Sequence, residues 1–339
     1  MGSRSTRYLK RKAYALLALA GLPRAVHRLR RPGDLTVVMY HGVLDAPLPP
    51  GEGLFLPKEL FSLHLRYLAK HFTLLPLDEA LERRGRVTDG KPAAAVTFDD
   101  GFRNNFTIAF PLLKEWKIPA TIYLCTSYLD SDRTFWFCRV SLALTGTALS
   151  QVRWQDMTFD LSTPVKKAAA VRAIQKVLKP LPAPVLHQRL AELEDLLGTG
   201  EARCAPEDPY RVLTRQDISA MSGSGLIYFG AHTDSHAILP VLSPEASREE
   251  IALSVRGVEE ITGRPCRHFA YPNGMMDSGT AQLLRECGIR YAVTTVEGPN
   301  TPQTHPLELR RYRIGGSTDM ATFQMKVHHS IAMMKGHRG

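Results

Sequence analysis

Two adjacent acids follow a short apolar run in the first third of the chain. Residues 94–98 are small, β-branched or aromatic and are typical of a buried strand, and Asp99 and Asp100 come directly after them. Carboxylates at the end of a buried strand are unfavourable unless a metal ion or an ion pair compensates them. Because neighbouring residues of an extended chain point in opposite directions, we expect different roles for the two acids. A helix N-cap is the alternative explanation.

Two histidines follow a second apolar run much later in the chain. Residues 227–229 are strand-like, and His232 and His236 come shortly after them, four positions apart. If this segment turns helically, the two imidazoles lie on one face. Two histidines and one carboxylate are a common ligand set for catalytic zinc and related ions. A histidine pair in a polar loop can be incidental, but its combination with the two acids predicts a metal site.

Four segments together resemble the NodB-homology polysaccharide deacetylases, carbohydrate esterase family 4. Thr-Phe-Asp-Asp-Gly at 97–101 matches the first family motif, and His-Thr-Asp-Ser-His at 232–236 matches the second. The segment 269–274 matches the third motif only in its proline and glycine, because Ala270 stands where many members have arginine. Residues 39–43 resemble the first strand of a subgroup. The resemblance covers about residues 35–315.

The resemblance implies a fold, a cofactor and a reaction. The fold is α/β, a distorted (β/α) barrel of the polysaccharide deacetylase type with a helical insertion. Asp100, His232 and His236 would bind one divalent metal ion, Zn2+ by default, with Co2+, Ni2+, Mn2+ and Fe2+ as alternatives. The metal would polarise the amide carbonyl and acidify a water molecule, and Asp99 would accept the proton of that water as general base.

The resemblance also suggests residues around the substrate. A backbone N–H near Asn273 would stabilise the oxyanion, within a third motif that comprises Tyr271, Pro272, Asn273 and Gly274. His41, which follows the first predicted strand, and Asn105 are expected near the site.

The general acid is less clear from the sequence. The family often uses a late Leu-x-His motif, and no such motif occurs here. His305 is the candidate general acid, and Asp99 returning its own proton is the alternative. The absence of arginine at position 270 leaves open what orients Asp99.

The positive charge of the chain belongs to its first residues. The net charge is +10, and residues 1–33 contain nine Lys or Arg and no acid, which leaves about +1 for the remainder. This distribution argues against a nucleic-acid partner for the folded domain. The apolar centre of the segment is too short to span a bilayer, so we expect an amphipathic helix on an anionic membrane surface. A solvated tail and an export signal are the alternatives.

The order of the predicted elements gives the domain organisation. After a basic segment at 1–34, strands and helices alternate and predict a parallel sheet or barrel over 35–316, with its chemistry at the carboxyl ends of the strands. Residues 128–213 interrupt this alternation and predict a helical insertion, and 317–339 predict a C-terminal helix or tail.

Three functions remain open on the sequence alone. The first is N-deacetylation of an N-acetylhexosamine in a polysaccharide or its lipid-linked precursor. The second is removal of formyl or another acyl group from a membrane-lipid-linked amino sugar, and the third is a non-catalytic carbohydrate-binding relative. We expect the protein in the cytoplasm or on the inner face of the membrane, with export as an alternative.

Overall fold

The strands form one parallel sheet with helices packed around it. The computed structural model describes residues 4–28, 33–46, 53–83 and 90–334. The strands are β1 (Thr36–Tyr40), β2 (Gly42–Leu44), β3 (Phe55–Pro57), β4 (Thr73–Leu74), β5 (Ala93–Phe98), β6 (Ala120–Leu124), β7 (Gln151–Trp154), β8 (Met157–Asp160), β9 (Ile227–Ala231), β10 (His268–Ala270), β11 (Tyr291–Val293) and β12 (Tyr312–Arg313). The main sheet has the order β11-β10-β9-β6-β5-β1-β12, and β4 pairs with the start of β5.

The segment that contains β12 joins the two ends of this sheet. Tyr312 pairs with Val38 of β1, while Leu309 bridges Val293 of β11. The Arg311 N–H donates to the Val296 carbonyl at 2.9 Å on the same side as β11. The parallel strands therefore curve into a barrel that closes at this segment, which confirms the predicted distorted barrel.

Alternating residues of the strands face two different cores. Val37 of β1 and Ala95 of β5 belong to the cluster inside the barrel, together with Tyr123 of β6. Val38 and Val96 face outward and pack in the larger cluster beneath the helices. Because the side-chain period of a strand is two, residues that follow β5 on the inner face are directed into the barrel mouth.

The helices surround the barrel and fill the insertion. They are α1 (Arg4–Leu19), α2 (Leu22–Arg28), α3 (Lys58–His71), α4 (Leu77–Glu82), α5 (Phe110–Glu115), α6 (Trp136–Gly146), α7 (Pro164–Leu178), α8 (Ala183–Leu197), α9 (Arg215–Ser222), α10 (Pro244–Thr262), α11 (Ser278–Glu286), α12 (Met320–Val327) and α13 (Ser330–Met334). None of the described helices has the length and apolar composition needed to cross a bilayer.

The segment between β6 and β9 has a small core of its own. Helices α6, α7 and α8 and the β7–β8 hairpin pack around buried residues such as Leu144, Trp154, Ile174 and Leu190. Thr163 accepts a hydrogen bond from the Lys166 N–H and so caps α7, whose first residue is a proline. The insertion is thus a separately packed layer beside the barrel mouth.

A buried ion pair ties two helices of the insertion together. Arg139 of α6 donates to both carboxylate oxygens of Glu194 of α8, at 3.0 and 2.5 Å, and Glu194 also accepts from the Ala202 N–H at 3.2 Å. The Glu194 side chain is only 2% exposed, whereas Glu201, a second partner of Arg139 at 3.6 Å, is 48% exposed.

We expect Glu194→Ala to lower the free energy of unfolding by about 3 kcal/mol, because it leaves the mostly buried Arg139 guanidinium with only its longer contact to the exposed Glu201 and leaves the Ala202 N–H without its acceptor. Urea denaturation followed by circular dichroism measures the change. Glu201→Ala is the matched control, with an expected change below about 0.5 kcal/mol. Equal effects of the two substitutions would contradict the prediction.

Candidate functional site

Asp99 is directed into the barrel by the alternation of β5. Ala95, Thr97 and Asp99 share the inner face of the strand, and the Asp99 N–H continues the ladder by donating to the Tyr40 carbonyl at 3.0 Å. Asp99 is 3% exposed, so its charge needs a buried partner.

Arg311 supplies that partner. Its guanidinium donates Nη1 to Asp99 Oδ1 at 2.6 Å and Nη2 to Asp99 Oδ2 at 2.7 Å, a bidentate pair, and it is itself fully buried. The Arg311 side chain also donates hydrogen bonds to the Thr294 carbonyl at 2.9 Å and to Thr97 Oγ1 at 3.2 Å. Burial raises the pKa of Asp99, but the charge and hydrogen bonds of Arg311 outweigh burial and lower that pKa to about 2. Asp99 is therefore an oriented, ionised carboxylate at neutral pH.

This pair answers the question left by Ala270. The guanidinium of Arg311 lies over the ring of Tyr123, 5.7 Å from its centroid, and Ala270 is buried in the same inner cluster as Tyr123. An arginine from the closing segment thus orients Asp99 in a chain that has alanine at position 270. The sequence carried a weak signal for this role: Arg311 is two residues from Leu309 and so shares its inward face.

Asp100 turns away from Asp99 and meets the two histidines. Its Oδ1 lies 3.4 Å from His232 Nε2 and 3.5 Å from His236 Nε2. Asp100 and His236 have positive φ angles of 71° and 62°, as does Thr233 at 61°. Such conformations are unfavourable for non-glycine residues and concentrate at functional sites. The structure therefore brings together the three residues predicted as metal ligands.

The donor set fits a divalent metal ion. One ligand atom from each of Asp100, His232 and His236 lies within 4.8 Å of the others. Zinc bonds of about 2.1 Å in tetrahedral geometry separate neighbouring ligand atoms by about 3.4 Å, close to the distances found here. Asp100 Oδ1 is buried without a hydrogen-bond partner. The His232 Nδ1 donates to the Ala270 carbonyl at 2.6 Å, which leaves Nε2 free as a ligand.

The charges of the site favour a cation. Burial lowers the pKa of His236 to about 4, so this imidazole is in the neutral form that binds metals. Burial also lowers the pKa of His232, but the close approach of Asp100 and the charges of both acids outweigh it and raise that pKa. The same negative field that would hold a proton on His232 attracts a metal ion in its place.

A large cavity opens beside these residues. Its volume is about 1030 Å³, and it lies between the barrel mouth and the insertion. Barrel residues on its wall include Asp99, Asp100, His232, His236 and Asn273, and the insertion contributes residues of α6 and α7. Phe135 and Phe137 pack edge-on against the His236 ring, each 5.4 Å between centroids. A cavity of this volume can enclose a small-molecule ligand or part of a larger one.

The third-motif residues occupy a tight turn after β10. Asn273, with a φ of 57°, lines the cavity, and its carbonyl accepts a hydrogen bond from Thr295 Oγ1 at 3.2 Å. Pro272 is buried, and Tyr271 is buried with its hydroxyl donating to the Leu307 carbonyl at 3.0 Å. Neither of these two residues lines the cavity. Of this motif, Asn273 alone lines the cavity, and the other residues hold the turn.

Gly274 has no room for a side chain. Its φ is 70°, and a Cβ atom there would lie 2.2 Å from Thr295 Oγ1 and 2.5 Å from the Thr295 backbone nitrogen. We expect Gly274→Ala to lower the free energy of unfolding by about 2–4 kcal/mol and to reduce turnover by displacing Asn273. Gly288→Ala is the matched control, since Gly288 has a φ of 83° and a Cβ atom at that position would have nothing within 4 Å. Denaturation and kinetics of both variants measure the difference. A Gly274→Ala protein no less stable than the control would contradict the prediction.

His41 and Asn105 have different positions. His41 lines the cavity beside the two acids, and burial lowers its pKa, opposed only in part by the charges of Asp100 and Asp99. Asn105 is buried and does not line the cavity; its Nδ2 donates to the His41 carbonyl at 2.8 Å. Asn105 therefore holds the loop that carries His41 and is not itself one of the residues around the substrate with which the sequence analysis groups it.

The prediction of His305 as general acid needs a correction. Its side chain is 43% exposed, its Nε2 lies 3.2 Å from Arg285 Nη2, and its Nδ1 accepts from the Leu307 N–H at 3.3 Å. It does not line the cavity. The loop after β11 turns this ring to the surface, so it cannot protonate a leaving amine in the cavity.

The fold and the site together define a class. A parallel α/β barrel carries an arginine-paired acid beside an Asp-His-His cluster, all at the carboxyl ends of its strands, as in metal-dependent hydrolases. The family model named polysaccharide deacetylase matches residues 86–292. The chain belongs to the polysaccharide deacetylase family.

Individual relatives agree with this assignment. YxkH of Bacillus subtilis (strain 168), provisionally named a polysaccharide deacetylase, is 29% identical over 99 residues, which are 29% of this chain and 34% of YxkH. The match thus spans about a third of that relative. The Streptococcus pyogenes deacetylase PplD, solved with acetate, superposes with a TM-score of 0.58 at 18% identity, over 88% of this chain and 99% of PplD. IcaB from Ammonifex degensii superposes with a TM-score of 0.58 at 19% identity, over 87% and 97% of the two chains. At these identities the superpositions establish the fold.

Proposed function

We propose that the protein is a metal-dependent N-deacetylase that hydrolyses the acetamide of an N-acetylhexosamine in a polysaccharide or its lipid-linked precursor. The observation that carries the proposal is the arrangement at the cavity floor. Asp99, fixed by Arg311 at 2.6 and 2.7 Å, stands beside Asp100, His232 and His236. One acid is thereby kept free of the metal site, as a hydrolytic base requires.

Asp100, His232 and His236 would hold the ion, for which Zn2+ is our first choice. The bound ion would polarise the acetamide carbonyl and make a water molecule more acidic. Asp99 accepts a proton from the attacking water, and Arg311 keeps the carboxylate aligned during the transfer. The turn at Asn273 borders the cavity where the carbonyl oxygen becomes negative, so its backbone would stabilise that charge.

The leaving amine must also receive a proton. His305 lies at the surface, whereas Asp99 lines the cavity. The carboxylate oxygens of Asp99 that accept the proton from water are therefore best placed to donate it to the leaving amine. His41 also lines the cavity and stands near both acids. We propose a single carboxylate for both proton transfers, with His41 contacting the substrate.

A metal-supplemented assay on N-acylated glycans tests the proposal. The purified protein is freed of metal, loaded with Zn2+, Co2+, Ni2+, Mn2+ or Fe2+, and incubated with polymeric and lipid-linked N-acetyl sugars. We expect equal amounts of acetate and free amine, and no product from Asp100→Asn. Release of formate from N-formyl sugars alone would identify a deformylase. Bound metal without any product would favour the non-catalytic alternative.

A surface feature supports the membrane-associated form of this function. Helix α1 packs on α12, and its Arg11 Nε donates to Asp319 Oδ2 at 2.6 Å. Four large apolar side chains of α1 are 59–85% exposed: Tyr8, Leu9, Leu16 and Leu19. Lys10 and Lys12 are exposed on the same helix. We propose that this helix lies on anionic lipid, which would keep the protein peripheral on the inner face of the membrane.

Vesicle binding tests this surface. We expect the protein to co-sediment with phosphatidylserine-containing vesicles and not with pure phosphatidylcholine, and Leu16→Glu/Leu19→Glu to abolish binding. Leu149→Glu, in the insertion, replaces another apolar residue that is 43% exposed and is the control. Equal binding of the wild type and the double variant would overturn the membrane proposal and leave the hydrolase proposal intact.

A further inference from the structure

One face of α7 forms a wall of the cavity. The cavity-lining residues of this helix recur at intervals of three and four, as on a single helix face: Pro164, Lys167, Ala168, Val171, Arg172, Gln175 and Lys176, with Lys179 directly after the helix. The same cavity reaches Asp99 and the histidines. A substrate whose acetamide lies at Asp99 therefore extends toward this helix face.

Four cations on this wall carry uncompensated charge. Arg172, Lys176 and Lys179 come from the insertion, and Arg313 of β12 lines the cavity from the barrel. We call these four the basic wall. Within the described part of the chain, no carboxylate forms a salt bridge with any of them. By contrast, Lys166, on the same helix but outside the cavity, pairs with Asp160 at 2.7 Å.

The other charged residues of the cavity already have partners. Asp99 is held by Arg311, Asp100 lies against the two histidines, and Lys167 donates to the Thr145 and Thr147 carbonyls at 3.2 and 2.7 Å. The basic wall is therefore not neutralised from inside the cavity.

Two cations of the basic wall, Lys179 and Arg313, repel each other. Burial and the positive charge of Arg313 lower the pKa of Lys179. The C-terminal end of α7 stabilises cations in its last turn, but this effect does not extend to Arg172 or Arg313. The chain outside residues 1–33 carries only about +1, so this concentration is local and not a property of the whole surface.

We infer that the basic wall binds a phosphate or diphosphate group attached to the amino sugar, so that the substrate is an N-acyl amino sugar with a phosphoryl substituent. Four cations exceed what a single carboxylate would neutralise, whereas a phosphate monoester or a diphosphate carries about two negative charges spread over several oxygens that accept from arginine and lysine. This inference rests on the proposed deacetylase function, because it places the acetamide at Asp99.

The test compares neutral and phosphorylated substrates in matched variants. Arg172→Gln/Lys176→Gln and Arg313→Gln are assayed in the metal-loaded protein with an N-acetylglucosamine oligomer, the same oligomer with a terminal phosphate, and a polyprenyl diphosphate-linked N-acetylglucosamine. We expect KM for both phosphorylated substrates to rise about tenfold or more, with kcat unchanged and with no change on the neutral oligomer. Lys166→Gln is the control and should behave as wild type. The difference should shrink as salt rises from about 50 to about 500 mM, because the cations are exposed.

Calorimetric binding of the phosphorylated oligomer to metal-loaded Asp99→Asn protein separates this inference from the proposed function. Wall-dependent binding without turnover by the wild type would support the basic wall and refute the deacetylase. Turnover with equal KM changes on neutral and phosphorylated sugars, or tighter binding of a uronic-acid oligomer than of the phosphorylated one, would overturn the phosphate inference alone. The double variant Leu16→Glu/Leu19→Glu distinguishes a lipid-linked phosphate from a phosphate on a soluble oligomer. If the lipid-linked sugar is the natural substrate, this variant should raise KM for that substrate only.

Discussion

Replacing Asp99 by alanine should reduce turnover by at least about a thousandfold while leaving the metal content of the protein unchanged. The carboxylate lines the cavity but is not part of the Asp100-His232-His236 group, so its loss should remove the proposed base and spare the proposed ligands. General-base catalysis contributes about 10²–10⁴-fold, and in the proposed mechanism the same group also returns the proton. Release of amine gives kcat, and elemental analysis of the dialysed protein gives the metal content.

Asp100→Ala provides the contrast to this substitution. It should lose metal and activity together, because two histidines alone hold a catalytic ion weakly. An Asp99→Ala protein that keeps full activity, or that loses its metal as completely as Asp100→Ala, would contradict the division of roles between the neighbouring acids.

Replacing Arg311 by methionine should affect stability and chemistry at once. The substitution leaves Asp99 buried without its counter-ion, so we expect the free energy of unfolding to fall by about 3–5 kcal/mol. Burial then dominates and raises the pKa of Asp99 above its ordinary value, whereas in the wild type Arg311 lowers that pKa to about 2. We expect kcat at neutral pH to fall by about 10²–10³-fold, because the base is misoriented and partly protonated.

A double variant separates the two effects of Arg311. Asp99→Asn/Arg311→Met removes both charges, so denaturation should show it more stable than Arg311→Met, yet it should remain inactive. Arg290→Met, at an exposed position, is the control for loss of an arginine. If the double variant lost as much stability as Asp99→Asn and Arg311→Met lose together, the pair would not be coupled.

The sequence reveals the acids and histidines because each set follows a recognisable strand in a short motif. Asp99 and Asp100 need only β5 to be placed, and His232 needs only β9. The partner of Asp99 cannot be found in this way. Arg311 is 212 positions away in the sequence and becomes a neighbour of Asp99 only when the closing segment packs beside β1. The residues around Arg311 in the sequence do not show which residue it pairs with. They show only that a charged residue shares the inward face of Leu309.

The insertion shows the same limit at the level of elements. The proline-started helix α7 and the glycine-ended helix α8 are visible in the sequence. The β7–β8 hairpin is not, because its turn residues Gln155 and Asp156 adopt φ angles of 50° and 57° without the usual glycine. Helix α6 could not be predicted from the sequence, because the aromatic residues at its start are equally compatible with a loop. Tertiary packing decides both elements.

The position of Arg311 in the closing segment has a consequence for biosynthesis. A ribosome delivers residues in order, so a nascent chain can present both acids and both histidines long before the arginine emerges. Until then Asp99 has no buried counter-ion, and the proposed metal ligands stand beside an unaligned carboxylate. Hydrolytic activity should therefore arise only after β12 has been released from the ribosome and has packed beside β1. Glycans near the ribosome would then not be exposed to an incompletely folded enzyme.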